Sequence, residues 1–188
     1  TNVNIDATAS VKATTAKIVF KDVEKYPQGF PMNYKVTILV YDADENTDKY
    51  SAEHVNITVK SSKETESVVK AVETGPDTGI FKATVVLRDS ATAANQWTNT
   101  ELQVAVGGDT LVVVYTDKYT AEGGTNVQVQ NTTLTKQYTA TVWFEKSRYN
   151  QGETAVVWVY DPDANTNPDL KDSVTVRVYS DDDPAGIS

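Results

Sequence analysis

The feature that most constrains this chain is that it repeats itself. Thr1-Asn2-Val3 returns as Thr125-Asn126-Val127, and the stretch ending in Phe20 returns as the stretch ending in Phe144, both at an offset of 124. Tyr26-Pro27-Gln28-Gly29 returns as Tyr149-Asn150-Gln151-Gly152 at 123. Asp42-Ala43-Asp44-Glu45-Asn46-Thr47-Asp48 returns as Asp161-Pro162-Asp163-Ala164-Asn165-Thr166-Asn167 at 119, and the strand-like run 55–61 returns as 174–180 at the same 119. The offset shrinks only where loops are expected, mostly after Gly29. Length change confined to loops is what structural repeats show, because a strand cannot lose a residue without turning its side chains to the other face.

The repeat divides the chain. Residues 1–15 read as the terminal strand of a preceding domain, 16–138 as one complete domain, and 139–188 as the opening strands of a following one. Continuation of the third part beyond Ser188 is the favoured expectation. Completion by another chain, or pairing of the first and last segments, is the alternative. Within the complete unit, apolar and polar residues alternate over 17–22, 34–41, 54–60, 67–73, 80–88, 101–106, 110–116 and 127–135. Alternation of this kind, with Gly, Pro, Asn and Asp between the runs, predicts strands. Val36, Ile38 and Val40 fall on one face; Val55, Ile57 and Val59 point inward while Asn56, Thr58 and Lys60 point outward. Thr, Val and Tyr are abundant and no helical period persists, apart from one expected turn over 89–95. The fold class read from this is all-β, as tandem Ig-like β-sandwich domains with the last one incomplete.

Composition narrows function. The net charge is -9, with 17 basic and 26 acidic residues. No basic stripe exists to neutralise phosphates, so nucleic acid is not an expected partner. There is no cysteine, so neither disulfides nor thiolate metal sites hold the fold. No apolar run reaches the roughly 18 residues of a membrane span. The chain begins at Thr1 without a signal-like segment, so a mature or excised piece is expected.

The two acidic bends carry the chemistry. Each follows a Val-Tyr strand end, at Tyr41 and at Tyr160, and each places oxygen side chains at alternate positions. Hard cations such as calcium take six to eight oxygens, and carboxylates crowded without a cation repel one another. Asp42, Asp44, Asn46, Asp48 and Glu53 in the first copy, and Asp161, Asp163, Asn165, Asn167, Asp169 and Asp172 in the second, are therefore candidate calcium ligands. Glu53 and Asp172 hold the twelfth position, where an EF-hand loop places its closing carboxylate; the sixth is Thr47 or Thr166 instead of Gly. The alternative is a pair of solvated turns that cap their own backbone. Asp117 is a surface strand end, or a member of an inter-domain site with Asp22 or Glu24. Asp181, Asp182 and Asp183 form either an ion site or an acidic tip. Asn56-Ile57-Thr58 and Asn131-Thr132-Thr133 are glycosylation acceptors in a secreted context.

The Asp-x-Asp-x-Asn bend after a Val-Tyr strand, then Glu73-Thr74-Gly75-Pro76-Asp77-Thr78-Gly79-Ile80-Phe81, then Gly108-Asp109-Thr110 leading into Val114-Tyr115-Thr116-Asp117, together resemble the Ig-like repeats of archaeal surface-layer (S-layer) proteins, of the type found in ammonia-oxidising archaea. The ending from Ser180 to Ile187 resembles the link before a further Glu-Thr-Gly segment. The resemblance covers nearly the whole chain. It implies an extracellular, self-assembling, calcium-dependent lattice protein of the cell surface, often glycosylated. Ser61-Ser62-Lys63 departs from the acidic run at Asp181 to Asp183.

Enzyme activity is not expected. His54 is the only histidine and reads as a surface residue. There is no Cys nucleophile and no Gly-x-Ser-x-Gly elbow, and no carboxylate pair stands out for glycoside hydrolysis. Two functional readings stay open: a non-enzymatic structural segment whose partners are divalent cations and copies of itself in a lattice or filament, and a calcium-dependent adhesin or filament subunit binding glycans or a partner protein. Trp143 and Trp158 read as strand packing residues, leaving Trp97 as the tryptophan suited to contact.

Overall fold

The computed structural model describes residues 12–89 and 100–180. The expected turn over 89–95, Trp97, Asp181 to Asp183 and Thr1 to Val3 lie wholly or largely outside the described residues. The rest is all-β, as composition and alternation demand. The strands are β1 Lys17–Phe20, β2 Phe30–Pro31, β3 Lys35–Tyr41, β4 His54–Lys60, β5 Ser67–Glu73, β6 Ile80–Arg88, β7 Thr100–Gln103, β8 Gly108–Tyr119, β9 Thr125–Lys136, β10 Thr141–Phe144 and β11 Val157–Tyr160. All eight expected strands of the first unit form, with ends displaced by up to three residues.

The first nine strands make one curled sheet in the order β1-β3-β6-β5-β4-β8-β9-β2, with β7 alongside β6. Neighbours are antiparallel except β2 with β9 and β7 with β6. The curl is drawn shut by the segment 17–31, which leaves β3 and reaches β9 at the opposite edge. Asn131 Nδ2 donates to the Ile18 carbonyl at 2.9 Å across the same seam. Gly29 permits this return: at φ +127 its missing Cβ would sit 2.8 Å from the Thr135 carbonyl carbon.

Inside the curl, the alternating residues of facing strands meet as expected. Ile18, Phe20, Val36, Ile38, Val40, Phe81, Val85, Ile57, Val59, Leu111 and Val113 are all buried. Burying a Val, Ile or Phe side chain contributes about 1.5–3 kcal/mol, so this face fixes the strand register. A cluster of Phe20, Tyr26, Phe30 and Tyr34 closes one end; Phe30 and Tyr34 stack at 5.6 Å and Tyr26 meets Tyr34 edge-on at 5.1 Å.

Among the described residues, the third part of the chain pairs its strands only as β10–β11. Its register repeats that of β1–β3: Lys17 faces Tyr41 and Phe20 faces Ile38, while Thr141 faces Tyr160 and Phe144 faces Val157. The two offsets of 124 and 119 thus bring equivalent residues opposite each other in both copies. Among the described residues, every hydrophobic residue of the buried core lies between Ala16 and Tyr115, and Val142, Trp143, Phe144, Trp158 and Tyr160 remain exposed.

Candidate functional site

The two acidic bends fold alike, bond for bond. Asp42 and Asp161 adopt extended backbone and cap a one-turn 3-10 helix, Ala43–Glu45 and Pro162–Ala164. The Asp44 amide donates to Asp42 Oδ1 at 3.0 Å, and the Asp163 amide to Asp161 Oδ1 at 3.1 Å. These are the short loops in which Asp outcompetes the helix interior by binding the backbone two residues on. Proline at the first helical position of the second copy fits, since that amide has no intrahelical partner.

The twelfth-position carboxylates close both loops onto the sixth position. Glu53 accepts the Thr47 amide at 2.6 Å, the Asp48 amide at 3.2 Å and the Thr47 hydroxyl. Asp172 accepts the Thr166 amide at 3.1 Å and its hydroxyl at 3.0 Å. Thr at position six is thus the partner of the carboxylate: it offers two donors where Gly would offer one. Asp48 caps the Tyr50 amide at 3.0 Å and bonds the Ser51 hydroxyl; Asn167 caps the Asp169 amide at 3.1 Å.

Electrostatics follow these bonds. The Ser51 hydroxyl holds Asp48 below its ordinary range, and the Thr47 hydroxyl does the same for Glu53. Asp42 goes the other way. Burial raises it, against the Tyr115 hydroxyl at 2.7 Å and the Asp44 amide, with nearby Asp117 and Asp44 adding to the rise. Beyond the bends, burial pushes Glu73 up, but amides of Glu53, Gly79 and Thr78 outweigh it and hold it low. Those bonds shape the Glu-Thr-Gly-Pro-Asp-Thr-Gly turn, whose Gly79, at φ +59, passes so close to Ala43 that a Cβ would sit 3.0 Å from its Cα. Asp109 is held low in the same manner: burial raises it, and the Ala105 amide and the Ser62 amide and hydroxyl prevail. Carboxylates here pin loop amides to one another, the service disulfides would give a cysteine-containing chain.

Two expectations change. Asp117 is not a surface strand end: it is fully buried and accepts the Ala16 amide at 2.8 Å, fastening the chain where it enters the sheet. Asp22 lies elsewhere, near the Tyr34 hydroxyl at 3.4 Å. Trp143 and Trp158 face each other across β10–β11, both about half exposed, on the face that in the first copy carries Val19 and Leu39 and turns away from the core. Of the two sequons, Asn56 stands exposed on the outer face of β4, whereas the side-chain nitrogen of Asn131 is spent on Ile18. His54 is exposed.

What sequence reading missed is where the bends reach. Asp44 Oδ2 accepts the Thr14 amide at 2.8 Å, from the stretch leading into its own unit. Asp163 Oδ2 accepts the Tyr138 amide at 2.8 Å, from the equivalent stretch at the same offset of 124. Asp163 then uses its other oxygen on the first unit, taking the Met32 amide at 3.0 Å. Around it the Lys35 amide donates to the Thr166 carbonyl at 3.1 Å, Asn165 Nδ2 to the Tyr26 hydroxyl at 3.1 Å, and Lys35 Nζ lies 3.5 Å from Asp169. Pro162 is buried in this contact. The second bend is therefore a clamp on the sheet before it.

Among the described residues, no three His, Asp or Glu side chains come together as a group able to hold a metal ion. Asp42, Asp48, Glu53, Asp161, Asp163 and Asp172 turn oxygens onto donors of the chain. Among the same residues, no helix is long and apolar enough to cross a membrane. No protein-family model and no curated protein matches the chain.

Proposed function

We propose that the chain is a non-enzymatic structural segment of an extracellular surface layer, made of tandem Ig-like β-sandwich modules that tile with copies of themselves. What supports the reading is the clamp at Asp163, which accepts one amide from the linker and one from the preceding sheet. A carboxylate with an amide donor on either side fixes orientation, because each N–H···O⁻ bond is short, directional and stronger than a neutral one. The module is then 16–138, and the part from 139 opens the next. The sandwich reading divides the one curled sheet between β5 and β6, which share only the pairs Val72 with Lys82 and Glu73 with Phe81, and takes β1, β3, β6 and β7 as one layer and β4, β5, β8 and β9 as the other.

Calcium is part of the proposal as a second source of rigidity. An ion at either bend has to draw Glu53 off Thr47, or Asp172 off Thr166. The reading therefore predicts a modest gain in melting temperature on adding calcium and its loss on chelation, read by calorimetry. Melting curves that superimpose in both conditions remove calcium from the account and leave the clamp. Assembly is tested by electron microscopy of the purified chain, where ordered sheets or fibres are the expected outcome and dispersed particles at every concentration the contrary one.

The adhesin reading draws on a different observation. Trp143, Trp158 and Tyr160 form an exposed aromatic strip on one face of β10–β11. Aromatic strips stack on sugar rings and on partner proteins alike. Binding on a glycan array that Trp158→Ala abolishes favours this reading over the structural one.

A further inference from the structure

We infer that the face of the first acidic bend, around Asp44, Asn46 and Thr47, is the docking surface for the 26–35 end of an upstream module of the same kind. The inference rests on the tandem reading above and adds its second junction.

Three observations carry it. The first is equivalence. Asp44 and Asp163 occupy the same place in bends with the same internal bonds, and each takes the amide of the residue three before its first strand begins, Thr14 or Tyr138. The bend at Asp163 shows what the remaining groups of such a loop do: its second oxygen takes the Met32 amide, the Thr166 carbonyl takes the Lys35 amide, and Asn165 meets the Tyr26 hydroxyl. The corresponding groups of the first bend are Asp44 Oδ1, the Thr47 carbonyl and Asn46. At Asn46 the match is by residue and not by atom: its Nδ2, the atom Asn165 gives to the tyrosine, is taken by Asp77 at 3.0 Å, and it is its Oδ1 that is shut away from water with no hydrogen-bond partner. A buried acceptor without a donor is a deficit that a tyrosine hydroxyl meets.

The second observation is the sequence leading into the bend. Thr1 to Lys12 runs in step with β9, Thr125 to Lys136, at the constant offset of 124, with Thr1, Asn2, Val3, Thr8 and Lys12 identical to their counterparts. Chain that reads like a closing strand thus enters Thr14 as β9 enters Tyr138. The third is charge. The 26–35 end is flanked by Lys25 and carries Lys35, and the face opposite it in the inference presents Asp44, Glu45 and Asp48. The natural junction already pairs Lys35 with Asp169.

The test is a tandem in which residues 1–136 are followed directly by 13–188, so that Lys136 of the first copy runs into Ala13 of the second as Lys12 does. Each copy keeps its own β9, and the second keeps its natural junction as an internal control. Amide hydrogen exchange is measured at Met32 and Lys35 of both copies. The inference predicts that the first copy's Met32 and Lys35 exchange at least tenfold more slowly than in free loops. Asp44→Ala in the second copy removes that protection, Asp44→Asn removes part of it, and Val113 stays protected throughout as the report on folding. If the first copy's two amides exchange freely while the second copy's Met32 stays protected, the inference fails and the tandem reading stands. If Met32 exchanges freely in both copies, the tandem reading fails with it.

Discussion

The pairs β1–β3 and β10–β11 have the same register and end in the same bend, yet their fates differ. Phe20 is 4% exposed and its counterpart Phe144 is 48% exposed. Ile18 is 4% exposed and its counterpart Val142 is 58%. The pairing and the bend are settled locally, by alternation and by side chains that bond amides within a dozen residues. Burial is settled by strands that come later, because Ile57, Val59, Leu111 and Val113 supply the opposite wall only to the first pair. The opening strands and the loop thus pair alike with and without a surrounding core. The loop, in turn, has work that the core does not need: it grips the sheet before it.

The sharpest way to break this comparison is to cut the same side chain in both copies. Phe20→Ala removes a buried ring and is expected to lower stability by about 3–5 kcal/mol. Phe144→Ala removes a half-exposed one and is expected to change stability by less than about 1 kcal/mol. Denaturant unfolding with an unchanged slope reads both. Equal losses would mean that β10–β11 has a core of its own.

Smaller effects come from the bends. Thr47→Ala deletes a hydroxyl that bonds Glu53, and because the bond is exposed to water the loss is expected to be small. Thr166→Ala deletes the matching bond to Asp172. The first change is expected to lower the midpoint of the 16–138 module, the second to leave that midpoint alone and speed exchange at the Lys35 amide. The reverse pattern would reassign the two loops.

Acid gives the smallest and most distributed effect. Asp48, Glu53, Glu73 and Asp109 are held below their ordinary range when folded. Their bonds therefore contribute stability that is complete above the unfolded carboxylate value, about 4, and is lost as pH falls through the lower folded values. Asp42, raised by burial, has the opposite sign: it favours the folded state in acid and loses that contribution as pH rises through its folded value. The four outnumber the one, so the melting temperature should fall below about pH 4. Asp42→Asn should remove the opposing contribution and make that fall steeper.

Much of this was legible in the sequence, for definite reasons. Strands β3 and β4 were readable because Val36, Ile38, Val40 and Val55, Ile57, Val59 alternate without interruption. The repeat was readable because strands cannot change length freely. The two-residue β2 was not, since Phe30-Pro31 has no period; it exists because Gly29 lets the chain touch Thr135. Its counterpart is missing from the second copy, where the offset drops from 123 to 119 after Gly152. The two bends were legible as equivalent loops, and Thr47 and Thr166 at position six were the signal that Glu53 and Asp172 have donors within the loop. The clamp was not legible, because the donors to Asp163 come from Met32 and Tyr138, and the distance along the chain between Met32 and Asp163 hides the contact.

The account's central claim is that the acidic bends lock consecutive modules through backbone amides. Amide hydrogen exchange of the whole chain against Asp163→Ala tests it most directly. The claim predicts that Met32 and Tyr138 exchange about tenfold faster or more in the variant, for bonds each worth roughly 1.4 kcal/mol, while Val59 and Val113 keep their protection. Unchanged exchange at Met32 and Tyr138 would contradict it.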